Sequence, residues 1–357
     1  MLLRDLHIQA YRGISDLVIP ELGRFNVLVG ANNSGKTSVL EAAALLARPF
    51  DLAQWSRVLQ HRDIGLMSTP PESLWELFPN AAPLSFDDGP PSCESIQFHG
   101  SLSSGVRELQ GKANARETGH RLPNGTMNLE IKARLQVRHQ VFAQTVSDEY
   151  YLWVEQPHWG ASGPVVRELQ TDRAVLMSPW ARNSSAWLVD LLSTAIAQGR
   201  KADAVAMLRL FDEQIEGIEI IKRFEEGRIL VQHKTRGMPG LSTFGQGMQA
   251  ALALAIAVSK ARGGLLLLDE IEVGIHTSLL VDVLEKLMVF AAASDVQVIC
   301  TTHSLETVDA LVEAAERQSR LDDLVGYWLR RTATEHTARR YPGAKLRSLR
   351  EGGVDIR

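Results

Sequence analysis

Residues Gly30-Ala31-Asn32-Asn33-Ser34-Gly35-Lys36-Thr37 follow the spacing GxxxxGK[ST], directly after the apolar run Phe25 to Val29. That pattern suits a triphosphate. Small residues let several backbone N–H groups curl around phosphate oxygens, with Gly30, Asn32, Asn33, Ser34 and Gly35 forming the cradle. Lys36 reaches the β and γ oxygens, and the Thr37 hydroxyl can ligand Mg2+. The helix expected from Ser38 onward aims its positive end at the same anion.

Two acidic residues follow a second apolar run, Leu265 to Leu268. This places Asp269 and Glu270 at the carboxyl end of a parallel strand, where open α/β sheets bind ligands. Asp269 is expected to hold Mg2+ through its hydration shell. Glu270 is expected to act as general base or to orient the attacking water. A third run, Val296 to Cys300, ends in Thr301-Thr302-His303-Ser304, so His303 can face the γ-phosphate beside Glu270 and donate a hydrogen bond there. Taken alone, such a histidine is more often a helix-capping or structural residue, and Ser304 with Glu306 reads as a helix start. Leu241 to Gln249 is rich in Ser, Thr and Gly and opens a long helix. It is either a second phosphate cradle or a plain helix cap with flexible glycines.

These residues need an α/β core to hold them. Leu6 to Tyr11 and Leu17 to Ile19 alternate as paired antiparallel strands before the buried strand that feeds the loop. Ser38 to Leu46 reads as the helix behind the loop and stops near Pro49. The regular pattern returns with helices over Met248–Lys260, Thr277–Ala293 and Ser304–Arg317, and a last strand over Leu324–Leu329. Between these parts the texture changes, with Pro70-Pro71 and Pro90-Pro91 punctuating short apolar runs. We expect an ATPase core from 1–50 and 236–357, with 51–235 inserted. Within the insertion Ile96–Phe98, Asn128–Gln140 and Tyr150–Val154 read as antiparallel strands. Ser185–Gln198 and Asp203–Phe211 read as helices, and residues 100–125 as a mobile loop.

Composition narrows the class. The chain has 357 residues, 45% hydrophobic and 22% charged, enough for a large core without bulk disorder. Its two cysteines, Cys93 and Cys300, have no metal-ligand spacing and no disulfide framework, which fits a reducing cytoplasm. No signal peptide or membrane span is expected. The net charge of −4 argues against a whole surface built for nucleic acid. From Arg317 to Arg357, however, ten Lys or Arg face five Asp or Glu. Arg330, Arg331, Arg339, Arg340, Lys345, Arg347 and Arg350 form either a solvated face or a phosphate-tracking strip.

In order and spacing, the chain resembles ATPase heads of the ABC superfamily, in the branch of structural-maintenance-of-chromosomes proteins and the overcoming-lysogenisation-defect (OLD-like) AAA family. The pieces that carry the resemblance are Ile8 to Ile14, the phosphate loop with its paired asparagines, Ser242 to Gln249, Asp269 to Glu272, and Thr301 to Ser304. It implies an α/β P-loop NTPase fold, ATP and Mg2+ as cofactors, and a homodimer that sandwiches two ATP, with larger assemblies possible. The signature residues Ser242 or Thr243, with Gly245, would reach the γ-phosphate of the other subunit. Thr243-Phe244 depart from the usual Leu-Ser-Gly-Gly, which leaves the donor hydroxyl open between the two. Arg12 resembles an arginine that approaches the nucleotide, His276 a turn that crosses the interface, and Gln97 is one candidate for a Mg2+-ligating glutamine.

Neither the long heptads of chromosome-maintenance proteins nor a nuclease domain after Leu329 is found in the sequence. The expected function is therefore an ATP-hydrolysing switch that controls a separate effector, a nuclease among the options, in anti-phage defence. A DNA-binding repair or recombination clamp and a non-hydrolysing ATP-bound scaffold are the alternatives.

Overall fold

The structure, a computed structural model, describes residues 3–60, 71–79, 93–121, 127–141, 144–155, 158–162, 172–179, 185–223, 226–332 and 335–356. The expected Pro90-Pro91 break lies outside the described residues.

Two large sheets and one two-stranded sheet are formed among the described residues. The first is antiparallel, ordered β2-β1-β4-β5-β6-β7-β8. It comprises β1 (Leu3–Tyr11), β2 (Ile14–Ile19), β4 (Ile96–Leu102), β5 (Gly105–Arg121), β6 (Met127–Val141), β7 (Gln144–Glu155) and β8 (His158–Ser162). The second is the core sheet, ordered β15-β14-β3-β13-β12-β9. Its strands are β3 (Phe25–Val29), β9 (Ala174–Met177), β12 (Leu265–Leu268), β13 (Gln297–Thr301), β14 (Leu324–Arg331) and β15 (His336–Pro342). All of these run parallel except β15, which pairs antiparallel with β14. Strands β3, β12 and β13 are buried along their whole length, as expected of parallel strands covered on both faces.

One face of the core sheet packs on α1 (Lys36–Ala47), α2 (Leu52–Gln60), α3 (Pro71–Trp75) and the antiparallel sheet, through Leu28, Leu265, Leu267, Ile299 and Tyr327. The other packs on α4 (Ser185–Ala197), α5 (Lys201–Leu208), α6 (Gln246–Lys260), α7 (Thr277–Ala293) and α8 (Leu305–Arg317), through Val27, Leu266, Leu268 and Val298. A hairpin, β10 (Ile215–Arg223) with β11 (Glu226–His233), and a last helix, α9 (Gly343–Glu351), complete that layer.

Three expectations change. Residues 105–121 are a long strand rather than a loop, because Arg107, Leu109, Gly111, Ala113 and Ala115 all turn inward. A buried arginine at the first of these positions hides the alternation. Arg107 donates to the carbonyls of Leu46 and Ala47, both at 2.9 Å, and so caps the carboxyl end of α1 where carbonyls and the helix dipole favour a cation. Strand β9 belongs to the core sheet although it lies within 51–235, and β14 is followed by β15 and α9 rather than ending the fold. No helix among the described residues is long and apolar enough to cross a membrane.

Candidate nucleotide site

The phosphate loop turns between β3 and α1, and its glycines are required by the backbone. At Gly30, with φ 149°, a Cβ would sit 2.3 Å from the Leu329 carbonyl oxygen. At Gly35, with φ 91°, it would press on Ile14 at 3.0 Å. Lys36 Nζ donates to the carbonyls of Gly30 at 2.7 Å and Ala31 at 3.0 Å, so its ammonium is held inside the loop. Burial pulls the Lys36 pKa down to about 8 against the pull of Asp269, Glu270 and Glu272. Phosphate oxygens would restore what burial removes.

A chain of hydroxyls and carboxylates runs from the loop to the neighbouring strands. The Thr37 hydroxyl donates to Asp269 at 3.1 and 3.2 Å, and the Thr301 hydroxyl donates to Asp269 Oδ1 at 2.6 Å. Thr301 Oγ1 also accepts the Glu270 N–H at 2.8 Å, which fixes the turn after β12. His303 Nε2 lies 4.0 Å from Glu270 Oε1, and both side chains are about two-fifths exposed toward solvent. Glu272 accepts from the Thr302 hydroxyl at 2.7 Å and from the His303 N–H at 3.3 Å, holding the turn that presents His303.

Among the seven described non-glycine residues with positive φ are Arg12, Asn33 and Glu270. Strain of this kind concentrates where a backbone is held for function. Arg12 sits in the β1–β2 turn and its Nε donates to Glu41 Oε2 at 2.9 Å, while Tyr11 donates its hydroxyl to the same oxygen at 3.1 Å. Glu41 is fully buried in α1. Burial opposes the Arg12 charge, but Tyr11 and Glu41 outweigh it and keep the guanidinium protonated. The pair therefore ties the turn to the helix behind the loop.

A cleft of about 460 Å3 opens over the loop and is lined by Arg12, Asn32, Asn33, Ser34, Lys36, Thr37, Ser38 and His303, among others. The residues fit a nucleotide. The Ser34 hydroxyl is buried with no partner among the described residues, and the Gly30 cradle has no room for a side chain. Thr37 and Asp269 are hard oxygen donors of the kind that, with phosphate oxygens and water, hold Mg2+.

Other expected residues lie elsewhere. Ser242 and Thr243 form a short 3-10 turn, and Gly245 begins α6; all three are exposed and none lines the cleft. His276 caps α7, accepting the Ser278 N–H at Nδ1. Gln97 is in β4, opposite Ala10, and is not a cleft residue. The strand end beside Asp269 is instead that of β9, where Met177 accepts the Asp269 N–H at 3.0 Å and Ser178 follows. Sequence reasoning passed over Thr301 and Glu272 as polar members of motifs, and Glu41 and His336 carried no local signal at all.

A family model described as "AAA domain, putative AbiEii toxin, Type IV TA system" matches residues 25–102 and 193–309, more than half of the chain. The chain belongs to this AAA family. The matched spans contain the loop, α6, the Asp269-Glu270 turn and His303. The chain is thus an ATP-binding domain of the P-loop ATPase type, with the α/β fold expected.

The uncharacterized protein MJECL11 of Methanocaldococcus jannaschii is 32% identical over 114 residues, covering 32% of this chain and 98% of that protein. The DNA replication and repair proteins RecF of Proteus mirabilis and Pseudomonas entomophila are 48% and 44% identical over 63 residues. The match spans 17% of this chain and 17% of each RecF. Two solved structures align along most of the chain at 12% identity. An Smc head bound to the C-winged helix domain of ScpA has a TM-score of 0.49, covering 96% of this chain and 98% of that one. The SMC head domain from Thermotoga maritima has a TM-score of 0.43, covering 96% and 99%.

Proposed function

We propose that this AAA domain is an ATP-hydrolysing switch that closes head to head with a second copy around two Mg-ATP and thereby controls a separate effector. One observation carries the reading. The loop, Asp269, Glu270 and His303 gather at one edge of the core sheet, while Ser242, Thr243 and Gly245 stand exposed and away from their own cleft. Exposed donors at a helix N-terminus are suited to an anion brought from outside the chain.

In this reading Lys36 and the loop amides hold the phosphates, and Thr37 with Asp269 holds Mg2+, which would offset phosphate charge. Glu270 orients and deprotonates the attacking water, and His303 donates to the γ-phosphoryl oxygens. Ser242 or Thr243, with Gly245, completes the other copy's site. The core in this reading is 1–50 and 236–357 together with β9, and the rest of 51–235 completes the head. Control of an effector in anti-phage defence is supported by the family likeness.

The test is Gly245→Arg. A Cβ at Gly245 meets nothing within 4 Å among the described residues, and Gly245 is exposed, so the fold is expected to persist. One-to-one ATP binding should survive while steady-state hydrolysis falls by roughly 100-fold, the usual effect of losing a transition-state donor. Unchanged hydrolysis would remove the composite site.

The DNA-clamp reading is favoured by the RecF names but weakened by the basic strip. Arg340, Arg347 and Arg350 are engaged by Glu21, Glu316 and Asp309 respectively, which leaves less charge for phosphates. Salt-dependent duplex binding that requires Arg330, Arg339 and Lys345 would restore it.

A further inference from the structure

The order of the core sheet separates the cleft into two ends. On one side of β3 lie β13 and β12, followed by His303, Glu270 and Asp269; on the other lie β14 and β15, which carry Arg331 and His336. Both Arg331 and His336 line the same cleft as the phosphate loop. A nucleotide whose γ-phosphate faces Glu270 and His303 extends its other end toward β14 and β15.

His336 is only 7% exposed, and its Nδ1 accepts the Ser15 N–H at 3.3 Å. A ring nitrogen that accepts carries no proton, so in the neutral ring the hydrogen is on Nε2. That N–H is buried and has no partner among the described residues. Burial and the nearby charge of Arg331 both push the imidazole below its usual range, which keeps it neutral at pH 7. Arg331 is exposed and pairs with no carboxylate among the described residues. It lies against the β1–β2 turn, where a Cβ on Gly13 would come within 2.9 Å of its Nη1. The two groups thus offer donors only, from a hairpin that contributes nothing to the hydrolytic edge.

We infer that His336 and Arg331 hold the nucleoside end of the nucleotide, donating to acceptor atoms of its ribose and purine base. The inference rests on the reading of this cleft as a triphosphate site. Phosphate oxygens are the other acceptors such donors could meet, and inorganic tripolyphosphate distinguishes the two because it has phosphates and no nucleoside.

The experiment measures binding of Mg-ATP and of Mg-tripolyphosphate by calorimetry to the full chain and to His336→Phe, Arg331→Ala and Lys36→Ala. Each substitution at His336 or Arg331 should weaken ATP about tenfold, one hydrogen bond's worth, and leave tripolyphosphate within about twofold. Lys36→Ala should lose both ligands. Arg331 is exposed, so its variant keeps the test valid if His336→Phe fails to fold. Equal losses for both ligands, or no loss for either, would overturn the nucleoside assignment. If the unaltered chain binds neither ligand, the triphosphate reading itself fails, and this inference with it.

Discussion

The phosphate loop and the Leu241–Gln249 stretch both present backbone N–H groups at the start of a helix, yet only the first is embedded. Around the loop, Thr37, Thr301 and Asp269 are linked by hydrogen bonds of 2.6 to 3.2 Å, and Lys36 is held by two loop carbonyls. At the second stretch, Thr243 bonds among the described residues to the Gly240 carbonyl, and Gly245 offers no side-chain cap to α6. A preorganised network fixes groups before the ligand arrives, whereas an open helix start gains its energy only on contact. The difference fits a site of which one half is finished inside the chain and the other is supplied by another copy.

Breaking the embedded half should have the largest effect. Lys36→Ala removes a charge-assisted donor to the phosphates and should weaken ATP binding by at least about 100-fold, abolishing hydrolysis with it. Equilibrium binding with a fluorescent ATP analogue checks this. Glu270→Gln should leave binding intact while slowing phosphate release about 100- to 10,000-fold, the range expected for loss of a general base. A parental rate in that variant would show that another group activates the water.

The scaffold of the embedded half can be broken separately. Arg12→Ala removes the Arg12 ion pair from the fully buried Glu41, and denaturant unfolding should show a loss of about 3–5 kcal/mol. The exposed stretch has no comparable anchor, so Ser242→Ala should leave stability within about 0.5 kcal/mol.

A further effect is on pH dependence. With the Lys36 pKa near 8, phosphate binding above that pH must take up a proton. Affinity should therefore fall by up to about tenfold per unit as pH rises from 8, until the pKa of the bound state is passed. Lys36→Arg, always charged, should lose that slope. The sign for folding is opposite. Lys36 has a folded pKa below its unfolded value, so the cost of burying its charge is fully present below pH 8. That cost is relieved between pH 8 and 10.5.

Much of this embedded half was legible because its signals are local. The GxxxxGK[ST] spacing, the four leucines before Asp269 and the capping pair Ser304 and Glu306 each fit within a few residues, and α7 spans the expected Thr277–Ala293. What escaped depends on distant partners. Arg107 breaks the inward pattern of β5 because its target is the end of α1, and β9 is four residues whose only mark is the strand it joins. Gln97 looked available as a ligand until register placed it opposite Ala10 in the antiparallel sheet. His336 gains its place from Ser15, more than 300 residues earlier in the chain.

On the proposed reading, ATP joins the finished half of one copy to the open half of another. Light scattering of Glu270→Gln with Mg-ATP tests it most directly. The chain, 39.4 kDa alone, should double its mass with ATP, and the same variant carrying Gly245→Arg should not. A single-chain mass with saturating ATP, or a dimer indifferent to both ATP and Gly245→Arg, would contradict it.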